Sequence, residues 1–295
     1  MSTTLAPAPT STLVTYPIVA ALIGAEKELG KDRIWRIIND QQGEFLRKFF
    51  LGSRGEVETI PEIETRVSRE AETLNDFLRE RGFSIQLDKF TAPDDFGVVS
   101  ILELVLDWLT PGWKTSVRSQ TDNKDYPAVE MRESISFFTV AGFNDPVAAI
   151  QTKTEDVVYL TVPRNDVTET ELDSVAETTL RLMTPCFNYD KLVFPMIDLD
   201  MELDITWLQG MFTFDEDDVI AVIRQALQQT LFKMDEIGAI VKSAVAISAV
   251  RCSISQPKET FTIDKPFLAI VVRPSLKKPL FVGYLNTDCW AKPNR

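Results

Sequence analysis

The sequence predicts an α+β fold in which a helix-rich first part packs on mostly antiparallel sheets that fill the second part. Three observations lead there. Apolar residues recur every three or four positions through much of Ile18 to Leu109, short β-branched and aromatic runs take over after Tyr126, and the two textures follow one another instead of alternating. A chain of 295 residues that is 44% hydrophobic can bury roughly 75% of its unfolded surface, so one large core is expected. Met1–Thr15, rich in Thr, Ser, Pro and Ala, reads as a flexible arm, and 16–295 as a single domain, helix-rich over 16–125 and sheet-rich over 126–295.

In chain order, Ile18 to Phe50 reads as a helical region through Ile34, Ile37, Ile38, Phe45, Phe49 and Phe50. Ile63, Val67, Ala71, Leu74 and Leu78 predict a helix over Pro61–Arg81, with Pro61 in its first turn and Gly82 as its stop. Val98–Leu109 predicts another, ending at Pro111-Gly112, with Trp108 and Trp113 beside the stop as core anchors. Strands are expected at Ser134–Val140, Val147–Gln151 and Val157–Val162, a helix over Glu169–Leu182, and strands around Leu192–Leu203. A helix is expected after Asp215, and apolar strands to the end.

Charge and composition exclude several function classes. The chain holds 31 Lys+Arg against 44 Asp+Glu, and its net charge of -13 repels phosphate backbones and anionic lipid heads, so nucleic acid is not an expected partner. No apolar run reaches the roughly 18 residues of a spanning helix, so no membrane span is expected. Three cysteines (Cys186, Cys252 and Cys289), no Asn-x-Ser/Thr site and no signal-like start favour a cytoplasmic or other intracellular location. With no histidine, the Ser-His-Asp and Cys-His mechanisms and imidazole zinc sites are unavailable. Gly52 and Gly55 fit no phosphate-binding loop. The reading is therefore not an enzyme, with no catalytic residue and no cofactor.

Two acidic clusters invite a metal reading. Asp198, Asp200, Glu202 and Asp204 alternate with Ile197, Leu199, Met201, Leu203 and Ile205, which a strand would sort onto a wet and a buried face. They lack the glycine and terminal glutamate of a calcium loop, so the wet face is preferred and no metal is assigned. Asp215-Glu216-Asp217-Asp218 reads as the negative cap of the helix expected after it.

Further features appear in a fixed order in the second half. Val157–Pro163 is an apolar strand-like run ending in proline. Leu192-Val193-Phe194-Pro195 opens a strand running to Asp204, followed by Trp207-Leu208-Gln209-Gly210-Met211. Leu231 to Gly238 is a strand ending in Asp235-Glu236 and a glycine, then comes the small apolar run Ala239–Val250 with the single charge Lys242. Phe261–Val272, with Pro266-Phe267-Leu268, and Pro279–Leu285, with Leu280-Phe281-Val282-Gly283, close the chain.

Together these resemble the serpin family over roughly Val157–Leu285. The resemblance implies a serpin-like α+β fold with an exposed reactive-centre loop near Gly238–Thr260, which in the family a target protease cleaves. The hinge side then inserts as a new strand into the main sheet. It implies hinge residues Glu236, Gly238, Ala239, Val241 and Ser243, and a bait region of Arg251, Cys252, Ser253 and Ser255. The partner it implies is a protein, either a protease or an assembly partner, and a homo-oligomer is compatible with it.

The sequence departs from the family where Ile240, Val241 and Lys242 interrupt the small-residue hinge and Ile237 replaces an acidic residue. The first half is shortened, and the family's Asn-Ala-x-Tyr-Phe-Lys-Gly-x-Trp strand is not recognisable before Val129. Two function classes stay open, a suicide-type serine or cysteine protease inhibitor and a non-inhibitory structural or interaction protein. The departures favour the second.

Overall fold

The structure, a computed structural model, describes residues 8–30, 34–92, 95–238 and 258–292. Its first part holds β1 (Ser11–Leu13), α1 (Tyr16–Glu28), α2 (Asp40–Phe45), a π turn (Leu46–Phe50) and the single turn α3 (Leu51–Ser53). Next come β2 (Ile63–Ser68), α4 (Ala71–Glu80) and β3 (Gly97–Leu102). The middle holds β4 (Trp113–Arg118), β5 (Asp125–Met131), β6 (Ile135–Thr139), β7 (Val147–Gln151), β8 (Val157–Thr161) and α5 (Leu172–Leu182). The last part holds β9 (Thr184–Cys186), β10 (Tyr189–Pro195), β11 (Ile197–Leu203), β12 (Phe212–Phe214), β13 (Ile220–Val222) and β14 (Gln228–Met234). The chain closes with β15 (Glu259–Thr262), β16 (Phe267–Val272) and β17 (Phe281–Leu285).

A seven-stranded sheet in the order β1-β17-β16-β8-β7-β6-β9 forms the centre. All its strand pairs are antiparallel. Phe-Leu-Ala-Ile-Val-Val of β16 is apolar without alternation because both faces are covered. Phe267, Ala269 and Val271 face the main core, while Leu268 and Ile270 face Leu172 and Ala176 of α5. That helix begins in a reciprocal cap, Thr168 N–H and Oγ1 both donating to Glu171 at 3.0 and 2.6 Å. A four-stranded sheet, β15-β10-β5-β4, closes the other side of the main core.

The strands expected at Ser134–Val140, Val147–Gln151 and Val157–Val162 are β6, β7 and β8, and the helix expected over Glu169–Leu182 is a 3-10 turn leading into α5. Other expectations are corrected. Pro61–Arg81 is a strand and a shorter helix: Ile63, Thr65 and Val67 alternate along β2, and only Ala71, Leu74 and Leu78 are helical. Gly82 does stop that helix, at φ +84°.

Val98–Leu109 is likewise strand β3 followed by extended chain. The β2–β3 ribbon is covered on both sides, with Val98 and Thr65 against Gly24 of α1 and Val99 and Ile101 against Leu74 and Phe77 of α4. A strand apolar on both faces carries no period of two, which is why it reads as helix.

No helix follows Asp215. Its Oδ1 accepts from Asp217 N–H and Val219 N–H, both at 2.9 Å, and turns the chain from β12 into β13. Trp108 is buried, edge-on to Phe194 at 6.4 Å, as expected, but Trp113 is exposed on the sheet-edge strand β4 beneath the Arg132 guanidinium. Ile34, Ile37 and Ile38 are exposed and not helical; Arg36 beside them bridges Phe212 of β12. Ser11–Leu13, within the stretch read as an arm, is the edge strand beside β17, and β2, β3 and β4 lie inside the stretch read as helix-rich. The strand expected from Leu192 to Asp204 breaks at Met196, whose N–H goes to Pro127 O at 2.9 Å, so β10 and β11 join different sheets.

Candidate functional site

The strand that carries the expected hinge is β14, paired antiparallel with β11 from Ile197↔Met234 to Leu203↔Gln228. The pairing sorts Asp198, Asp200 and Glu202 onto the wet side, as the alternation predicts, with Asp198 ion-paired to Lys233 at 3.1 Å and Asp200 accepting from Gln229 Nε2. Among the described residues β11 is the only strand partner of β14.

At the end of β14 the chain is clamped. Asp235 Oδ1 accepts from Ile237 N–H at 2.8 Å and Gly238 N–H at 3.3 Å, a side-chain turn that reverses the backbone. The segment Leu106–Lys114 holds the turn from the other side. Trp108 N–H donates to Ile237 O at 3.1 Å, Trp108 Nε1 to Asp235 O at 2.8 Å and Gly112 N–H to Glu236 O at 2.7 Å. Lys114 Nζ lies 3.0 Å from the Glu236 carboxylate, a hydrogen bond that raises the lysine's pKa. Gly238 sits at φ +127°, bridged to Asp107. A Cβ there would run into Leu106 O and stand 2.7 Å from Asp107 Cα and Trp108 N, so this crossing requires glycine.

The chain entering β14, at the end away from this clamp, is also engaged. Gln229 Oε1 accepts from Ser84 N–H at 2.7 Å and Ile85 N–H at 3.2 Å, and Gln225 exchanges hydrogen bonds with the backbone of Asp88 at 2.7 and 3.2 Å. Phe83, Ile85, Leu87 and Phe90 press onto the cluster formed by α4 and β3. The Ser84–Asp88 segment is thus tied by glutamine side chains to the chain entering β14.

The chain returns in β15, parallel to β10 in the four-stranded sheet, with Glu259 N–H on Asn188 O at 2.8 Å. Of the expected hinge residues, Glu236 and Gly238 are therefore placed at the clamp. Ala239, Val241 and Ser243 of the hinge and Arg251, Cys252, Ser253 and Ser255 of the bait region lie outside the described residues. Both flanks of that stretch are sheet strands, in two different sheets.

Sequence reasoning missed the partners of the hinge. Trp108 and the Pro111-Gly112 pair drew notice, but as a core anchor and a helix stop; what reveals them as a clamp is contact across more than 120 residues of chain. Gly112 is a close crossing as well, since a Cβ would overlap Val129 and stand 2.9 Å from Glu130 O. Gln229 gives no signal at all in a strand of ordinary composition.

No protein-family model matches the sequence, and no curated protein matches it. Solved structures do. A thyroxine-binding globulin in complex with thyroxine is 13% identical, with 93% of this chain and 91% of that one covered and a TM-score of 0.55. Human glycosylated kallistatin is 13% identical over 97% and 92% at 0.57, and tengpin, a thermophilic serpin in its native state, 10% identical over 96% and 90% at 0.58. Identity this low speaks to architecture alone, and the coverage extends that likeness over most of the chain: this chain has the serpin fold, in a divergent form.

Proposed function

We propose that this chain is a non-enzymatic, non-inhibitory protein that works by protein–protein interaction, using the stretch between Gly238 and β15 as a contact segment presented by a serpin scaffold. The observation that carries this reading is the state of β14. Insertion of a hinge as a central strand of the main sheet requires a neighbouring strand on each side, and among the described residues β14 pairs with β11 alone, in a two-stranded ribbon apart from the seven-stranded sheet. Ile240, Val241 and Lys242 also break the small-residue run of the family's hinge, a departure that usually accompanies non-inhibitory members.

Inhibition is the second reading, favoured by the glycine exit clamped at Gly238 and by sheet strands at both ends of the undescribed stretch. In that case Arg251 is the trypsin-like bait, with Cys252, Ser253 and Ser255 following it. Incubation with a trypsin-like protease and denaturing electrophoresis separates the two. Simple nicking without a stable adduct is the expected outcome, and a covalent protease complex would overturn the proposal. If such a complex forms, an Arg251→Ala variant that still traps the protease refutes the choice of bait residue.

A further inference from the structure

The hairpin β12–β13 brings three features together. The first is an apolar face. Phe212 pairs with Val222, Phe214 with Ile220, and Arg36 bridges Phe212, so these residues share one side of the two-stranded hairpin and the segment bridged to it. Thr213 and Trp35, on the other side, are buried, whereas Ile220 is 57% exposed, Val222 42%, Phe214 38% and Ile34 72%. An exposed apolar cluster of this kind marks an interaction surface or an aggregation hazard.

The second feature is an open strand edge. Met211 O accepts from Ile223 N–H, Asp215 N–H donates to Val219 O, and Arg36 and Phe212 exchange main-chain hydrogen bonds. This alternation turns the backbone groups of Ile220 and Val222 away from β12. Among the described residues they have no hydrogen-bond partner, so the edge can accept another strand. The third is charge. Asp215-Glu216-Asp217-Asp218 forms the turn at the start of β13. Asp217 and Asp218 at the end of an open edge favour a cationic segment, and a net charge of -13 on each copy disfavours self-pairing.

We propose that the outer edge of β13 is a docking site for an extended segment of a partner protein, added antiparallel as a strand. That segment would carry apolar side chains at alternate positions over Ile220 and Val222 and Lys or Arg residues at its C-terminal end, beside the acidic turn. This inference does not rest on the role of the Gly238–β15 stretch.

The test is titration calorimetry of the full chain with acetyl-Val-Thr-Ile-Thr-Val-Lys-Lys-amide and its Glu-Glu counterpart. Binding of the lysine peptide alone, weakened about tenfold by losing one main-chain hydrogen bond in Ile220→Pro, is the expected result. Asp217→Asn with Asp218→Asn, confined to the surface turn, should weaken it severalfold and flatten its salt dependence, and guards against misfolding of the proline variant. Equal binding of both peptides, no binding of either, or indifference to both variants overturns the proposal. So does concentration-dependent self-association abolished by Ile220→Pro, which would make the edge a contact between copies.

Discussion

Replacing Gly238 by Ala probes the clamp that ends β14. At φ +127° any L side chain is strained, at about 1–3 kcal/mol, and here the added Cβ meets backbone atoms of Leu106, Asp107 and Trp108, which no rotamer change can move aside. The alternative is to let the bridge open. That forfeits the bonds Trp108 N–H to Ile237 O and Asp235 N–H to Gly238 O, at about 1 kcal/mol each. Either route costs about 2–3 kcal/mol. Urea unfolding measures it as a lowered midpoint at unchanged slope. Gly52→Ala is the internal control, because a Cβ at that helical position meets nothing within 4 Å and replaces a poor helix former, so it should be neutral or slightly stabilising. If Gly238→Ala lies within about 0.5 kcal/mol of the parent, the ordinary scatter of surface substitutions, the clamp does not hold the chain as described.

Two further outcomes follow from the charged interior. Buried Arg273 forks onto Asp156 at 2.7 and 2.9 Å and onto Glu62 at 2.7 and 3.0 Å, so Arg273→Met should destabilise by about 3–5 kcal/mol through the carboxylate it strands. Combining it with Asp156→Asn should recover part of that loss in a double-mutant unfolding cycle; strictly additive losses would refute the coupling. Thermal melts should also fall as pH drops from about 4.5 towards 2. Hydrogen bonding from Arg273 holds Glu62 below its usual range and hydrogen bonds from Lys191 and Arg132 do the same for Glu130. Asp122 is held at about 2, burial raising it but bonds from Tyr126, Lys124 and Ser119 outweighing that. Depressed carboxylate pKa values stabilise the fold above the unfolded range and lose that contribution as pH falls through the folded values, so a flat melt across this window would contradict the assignment.

How much of this was legible in the sequence depends on where the information sits. The second half was readable because its strands carry local marks: β7 and β8 are short β-branched runs between turn residues, and Leu280-Phe281-Val282-Gly283 lies where the closing strand begins. The first half was not, because β2 and β3 are sandwiched between α1 and α4 and so present apolar residues at spacings that mimic a helix. The exit at Gly238 was legible as an acidic pair before a glycine. Its clamp was not, since Trp108, Gly112 and Lys114 are recruited from a distant part of the chain and the Ser84–Asp88 segment is fixed by two glutamines of no distinctive pattern.

The central claim is that the chain after Gly238 does not insert as a new strand beside β14, and the melting temperature of the chain after protease nicking between Gly238 and Lys258 tests it most directly. We expect the nicked chain to melt at or below the temperature of the intact one, since cutting a connection adds no buried structure. A rise of tens of degrees, the signature of a strand added to the sheet, would contradict it.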